Sequence, residues 1–430
     1  MKKISDAQRA EKHIIKSSDK YFSLLMSFCH LSKNLYNHAN YLVRKHFFEE
    51  DTWLKYNTLD KLLRQDAEYP DYKSMPTAQS AQQTLRLLDK NWKSFFRSIK
   101  DWSKHKDKYL GKPKPPKFLK KSDNYLLILT NQEFRLKDGK IYFPKVFSGF
   151  ILSPKFIVRN DYLSVQQVRF IPHKQRIVVE IIYSINIPIS KPDNSRYIGI
   201  DIGVSNLATI SNNIGVVPFI INGKPVKSIN QNYNKRISHY KEIAKRMNNR
   251  DYSKRMDLLT EKRNARIDDY LHKASRKIIN FCIENDIHTV IIGKNSEWKQ
   301  NSKLSKKVNQ HFVQIPFAKL IGMIQYKAEE YGIAVILTEE SYTSGTSFID
   351  NELPVKENYN KSRRVHRGLF KSNNGTLINA DLNAAYQIIK KVFPIKWDSG
   401  CALHPIVVGI TQVISNNKEN QYFNDFYDVM

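Results

Sequence analysis

Four carboxylates occupy positions from which a chain could hold divalent metal ions. Asp201 lies within the apolar run Gly199-Ile-Asp-Ile-Gly203. Strand alternation puts its carboxylate on one face and Ile200 and Ile202 on the other. Asp381 opens the helical stretch Asn379-Ala-Asp-Leu-Asn-Ala-Ala385, and Glu339-Glu340 follow the apolar run Ala334-Val-Ile-Leu-Thr338. Metal-assisted phosphodiester hydrolysis needs such a cluster drawn from separate segments. Hard oxygen ligands hold two Mg²⁺ ions, one at the attacking water and one at the leaving oxygen. Asp201 and Asp381 supply two ligands. The third is Glu339 or Glu340, and alternation does not choose between them at a strand end. Glu297, in the loop after the preceding strand, is a further candidate. Plainer roles exist for each: a capped turn for Asp201, a helix N-cap for Asp381. The glycines beside Asp201 are expected to leave room for a phosphate or metal.

The rest of the composition is consistent with a polyanionic substrate. The 430 residues carry 70 Lys+Arg against 41 Asp+Glu, a formal charge of +29. That excess points to nucleic acid, with a ribosomal or membrane-surface protein as the plainer alternatives. Aromatics at 12% can stack on bases. Trp92, Trp298 and Trp397 are available for stacking or for core packing. Cys29, Cys282 and Cys401 are far apart, which excludes a disulfide scaffold and an ordinary cysteine zinc ribbon. No apolar run reaches the length of a membrane span, and Met1 to Gln8 have no signal core behind their charges. A cytoplasmic protein, associated with the prokaryotic nucleoid when bound to DNA, is expected.

The elements that must position these residues are readable as changes of period. Leu24, Phe28, Leu31 and Leu35, then Leu85, Leu88, Trp92 and Phe95, predict helices across 20–105, with a start at Pro76-Thr77. Gly111-Lys-Pro-Lys-Pro-Pro-Lys117 stops the helix and forms either a basic strap on phosphates or a solvated linker. Short β-rich runs from Tyr125 to Ile189 predict a small β-barrel. A second α/β unit starts at Arg196. It has a hairpin over 197–210, a basic helical region over 235–284 and strands at 288–292 and 334–338. Helices are predicted over 316–331 and 381–391.

Together these motifs resemble TnpB, the transposon-encoded RNA-guided DNA endonuclease with a RuvC-like domain, related to compact type V CRISPR effectors. Gly199 to Ala208 resembles its first RuvC motif, Tyr342-Thr-Ser344 its YTS segment, and Asn379 to Ala385 its third motif. Leu271-His-Lys-Ala-Ser275, Gln82-Gln83 with Leu87-Leu88-Asp89, and Gly111 to Phe118 are similar to other landmarks, so the resemblance covers about residues 10–392. Two features depart from the pattern. The second motif's strand ends Ile292-Gly293-Lys294 without its glutamate, which points to relocation onto Glu339 or Glu340. No cysteine lies between Cys282 and Cys401, and His366 alone cannot hold zinc. Residues 345–377 are therefore a metal-free basic insertion that touches nucleic acid, or a solvated loop.

The resemblance implies an α+β multidomain fold. Residues 1–19 give the first strand of a wedge domain, 20–110 a helical recognition lobe and 111–192 the β-barrel wedge. Residues 193–344 give an RNase H-like (RuvC) domain with a basic helical insertion at about 230–285. The insertion 345–377, the last RuvC segment 378–393 and a tail 394–430 follow. The expected partners are a transposon-derived guide RNA and double-stranded target DNA with a short adjacent motif, and no membrane. Mg²⁺ is the expected cofactor, held by Asp201, Asp381 and Glu339 or Glu340, and zinc is not expected. Nucleic acid is expected at Lys112, Lys114 and Lys117, at Lys235, Arg236, Arg263, Arg266 and Lys273, and at Arg363, Arg364 and Arg367. A nuclease-inactive guided DNA-binding repressor shares nearly all of these features. An RNase H-like transposase is the other alternative, although its last acid would be a glutamate within a late helix.

Overall fold

Apolar residues recurring every three or four positions fix the first unit, residues 5–186. The computed structural model describes residues 5–159, 161–190, 192–295, 313–396 and 402–410. Strand β1 (Ser5–Lys16) precedes helices α1 (Phe22–Glu49), α2 (Tyr56–Gln65) and α3 (Ala78–Lys104). Helix α1 buries Leu25, Phe28, Leu35, Tyr36, Ala39 and Val43 along one stripe. Helix α3 starts at Thr77, whose side chain accepts from Ser80 N in a capping box. Trp92 is fully buried and donates its indole N–H to Asn40 Oδ1 at 3.0 Å, so it is core rather than a stacking surface. Trp298, Trp397 and Glu297 lie outside the described residues.

The basic strap has no regular structure but a fixed path. Asn37 both donates to Leu119 O (2.9 Å) and accepts from Leu119 N (2.8 Å). Asn40 and Arg44 both donate to Pro116 O, at 3.2 and 3.0 Å. Beyond it run β2 (Leu127–Thr130), β3 (Arg135–Lys137), β4 (Lys140–Tyr142), β5 (Ile151–Leu152), β6 (Tyr162–His173) and β7 (Arg176–Ile187). They form a sheet ordered β1-β7-β6-β2 and a meander β3-β4-β5. The expected barrel is thus made of two sheets. Phe143, Phe147, Phe150 and Phe170 cluster between them, with ring centroids 5.2 to 6.2 Å apart.

The second unit, from residue 187 onward, is organised on one six-stranded sheet. Its strands are β8 (Tyr197–Asp201), β9 (Asn206–Asn212), β10 (Phe219–Asn222), β11 (Thr289–Gly293), β12 (Ala334–Thr338) and β16 (Ile406–Val408). The order is β12-β11-β8-β9-β10-β16. Strands β8, β9 and β10 form an antiparallel meander, and β11 and β12 add in parallel on the other side of β8. This is the expected RNase H-like arrangement. β16, in the part of the chain read only as a tail, extends the sheet parallel to β10. The basic helical region is two helices, α4 (Lys224–Asn248) and α5 (Lys254–Glu284), separated by Asn249 in the left-handed region at φ 48°. Helices α6 (Phe317–Glu329) and α7 (Ala380–Val392) complete the layers.

Residues 345–377 are folded rather than a solvated loop. Strands β13 (Arg364–His366), β14 (Leu369–Lys371) and β15 (Leu377–Asn379) form a small sheet. Phe348, Ile349, Phe370 and Ile378 pack with Leu382 and Tyr386 of α7, and Phe348 stacks on Tyr386 at 4.5 Å.

Candidate active site

Asp201 is the last residue of β8, flanked by β11 and β9 at the centre of the sheet. Helix α7 crosses that strand very closely. A Cβ at Gly199 would stand 2.2 Å from Ala385 O and 2.7 Å from Ile389 Cγ1. The glycine therefore makes room for the helix backbone, not for a phosphate or metal as the sequence suggested. Gly203 likewise faces protein, since its Cβ would meet Asn206 O at 2.8 Å.

The close crossing brings in Asp381, in the first turn of α7. Capping falls to Asn379, whose side chain accepts from Asp381 N and Leu382 N at 3.1 and 3.0 Å. The Asp381 carboxylate is thereby released from the helix end. Its Oδ2 accepts from Asn206 Nδ2 at 2.7 Å, and its Oδ1 lies 3.5 Å from an Arg364 Nη2.

The two adjacent glutamates diverge. Glu339 is exposed and accepts from the Ser341 hydroxyl. Glu340 is half-buried; its backbone N–H donates to Asn295 Oδ1 at 2.9 Å. The Glu340 side chain lies over Gly293, where a Cβ would stand 2.5 Å from its Cγ and 2.7 Å from its Oε1. Gly293 pairs with Thr338 across the parallel β11–β12 register. The Glu340 side chain thus fills the volume that a side chain at Gly293 would need.

Electrostatics tie the three carboxylates together. Burial, then the charges of Asp381 and Glu340, push the Asp201 carboxyl well above the ordinary carboxylate range, and Arg364 opposes them. Of the two adjacent glutamates, it is Glu340 whose charge raises Asp201. Among the described residues, no three acidic, His or Cys groups stand close enough to hold an ion in this arrangement. Asn206 and Arg364 already engage both Asp381 oxygens. The donor chemistry nevertheless fits a hard divalent cation, since the three groups are oxygen ligands whose mutual repulsion a cation would relieve.

The expected nucleic-acid residues fall into three situations. Lys112, Lys114 and Lys117 are exposed on the fixed strap, and Lys235, Arg236, Arg266 and Arg367 are exposed as well. Lys273 pairs with Asp269 at 3.0 Å on the surface of α5. Arg263 and Arg363 are used inside the fold. Arg263 donates to Asn230 Oδ1 (2.8 Å) and Gln314 O (2.9 Å), and Arg363 to both Glu352 oxygens at 2.7 and 2.6 Å. Arg364 faces Asp381. Sequence reasoning missed Asn206, Asn295 and Asn379 as organisers of the site. A polar residue two positions before Asp381 was the visible signal for Asn379; the other two act across strands.

Comparisons with known proteins bear on the family segments and the fold. Residues 178–299 match the family described as a probable transposase (OrfB_IS605), and 317–388 match the Cas12f1-like TNB domain. The CRISPR-associated endodeoxyribonuclease Cas12f2 of a Micrarchaeota archaeon is 28% identical over 273 residues, 59% of this chain but 46% of that protein. This chain therefore spans under half the length of that relative. The TnpB-like protein ORF457 of Acidianus two-tailed virus is 24% identical over 392 residues, 84% of this chain and 81% of its own length. Among solved structures, a Cas12f1–sgRNA–target DNA complex shares the fold at TM-score 0.53 and 17% identity, over 85% of this chain and 82% of that one.

Proposed function

We propose that this chain, which carries the TnpB-type and Cas12f1-like segments that both family models recognise, is an RNA-guided DNA endonuclease. The observation that supports it best is the convergence of Asp201, Asp381 and Glu340 from β8, α7 and the exit of β12, close enough for two of them to shift the third. These three residues would hold divalent cations, which supply Lewis-acid stabilisation of the attacking and leaving oxygens of an in-line phosphoryl displacement. The protein's own part is positional. Asn206 and Arg364 fix the orientation of Asp381, and Asn295 fixes the backbone of Glu340. Gly293 gives the relocated glutamate its space. The exposed lysines and arginines of the strap and of α4–α5 would grip a guide RNA–DNA duplex by its phosphates and A-form shape, leaving sequence reading to base pairing.

The experiment is purification with RNA from the native locus, followed by Mg²⁺-dependent cleavage of a matched plasmid library. Asp201→Ala, Asp381→Ala and Glu340→Ala should each lower cleavage by more than about 100-fold, since loss of groups one shell further out already costs 10–100-fold. Glu339→Ala should stay within about threefold. Guide-dependent binding by wild type without cutting would replace the nuclease with a guided DNA-binding protein.

A further inference from the structure

Between the strap and the exposed side of α3 lies a groove of about 340 Å³, lined by Tyr36, Asn91, Phe95, Ser98 and Lys114 with Pro113 and Pro116. We propose that it receives one unstacked nucleotide of a single-stranded nucleic acid, with the base against Phe95 and the phosphate on Lys114. This proposal rests on the nucleic-acid reading above and adds a site to it. The volume lies at the lower end of the roughly 300–1,000 Å³ typical of small-ligand clefts, which suits one nucleotide and not a duplex. A base enters such a space only when out of its stack.

The lining matches a nucleotide in kind. Aromatic surface accepts any base face, and the Asn91 amide and Ser98 hydroxyl offer donors and acceptors to a base edge. The Asn91 amide donates to Tyr36 Oη at 3.4 Å and also bonds the Tyr125 hydroxyl, at the groove's inner wall. Lys114 is exposed at the lip, and Lys112 and Lys106 flank the neighbouring Trp102 ring at 5.9 and 5.3 Å, continuing the positive track. The groove wall cannot recede. Asn37, Asn40 and Arg44 pin the strap backbone at Leu119 and Pro116, so the site is preorganised.

The test is fluorescence anisotropy of the full chain with labelled single-stranded RNA, single-stranded DNA and a blunt DNA duplex of equal length. The variants are Ser98→Phe, which fills the groove, and Asn91→Ala, which removes an amide from its lining, each checked by circular dichroism. Both should weaken single-strand binding about tenfold and leave duplex binding within about twofold. Whichever single strand responds identifies the source of the nucleotide. If Asn91→Ala and a folded Ser98→Phe weaken single strand and duplex equally, or neither, the groove is not a nucleotide site. If wild type binds no nucleic acid at all, the nuclease reading falls with it.

Discussion

Without a cation, Asp201 is held where its charge is disfavoured. Burial and two neighbouring carboxylates act against the ionised form, and Arg364 favours it. For an acid whose value is raised on folding, the native state binds the proton more tightly than the unfolded chain does. The group then has no effect at pH below its unfolded value, and stability is lost as pH rises from there through the native value. In chelator, the melting temperature of wild type should therefore fall from acidic to neutral pH by more than that of Asp201→Asn. The variant should melt higher at pH 7–8, and Mg²⁺ should recover much of the difference for wild type. A thermal-shift series at fixed ionic strength checks this, and parallel curves would remove the electrostatic account. Asp201 and Asp381 were legible because each sits in a short motif with its own element. Which of Glu339 and Glu340 turns toward Asp201 was not. That orientation comes with Gly293 on another strand, a cross-strand contact that no periodicity contains.

The elements show the same division between local and non-local information. Strand β12 has the bounds its apolar run predicts, whereas α7 is capped at Asn379, two residues before the Asp381 that the sequence offered as its cap. Asn379 makes that start sharp, so Asn379→Ala should cost about 0.5–2 kcal/mol and lower cleavage by disturbing Asp381. Urea denaturation alongside the cleavage assay checks both, and an unchanged midpoint would mean that the cap bonds contribute nothing. The insertion 345–377 looked like a basic loop because its apolar residues are few and lack a period. Phe348 and Phe370 become a core only against Ile378 and against Tyr386 and Leu382 of α7. Two of its three highlighted arginines then serve the protein itself, at Glu352 and Asp381. Strand β16 was missed for a related reason: three residues after Pro405 carry no pattern until β10 lies beside them.

At the scale of the molecule, the +29 charge should dominate binding. With six to ten phosphate contacts, affinity for nucleic acid should drop about 10³- to 10⁵-fold between 50 and 200 mM salt. Replacing Lys112, Lys114 and Lys117 together should reduce the slope of log affinity against log salt by up to about three. Titrations at four salt concentrations measure it, and an unchanged slope would place the phosphates elsewhere. Topology has a further effect, on synthesis. The bond from Asn206 to Asp381 joins residues 175 positions apart, and the glutamate over Gly293 also comes from a later strand. Domains fold as the chain emerges, and long-range pairings form last. A ribosome-bound chain can thus complete the first unit, with its basic strap, while α7 is still unsynthesised. Under the proposed function, nucleic-acid capture and cleavage would be separated in time by the order of the chain, and a nascent molecule would hold RNA before it could cut DNA.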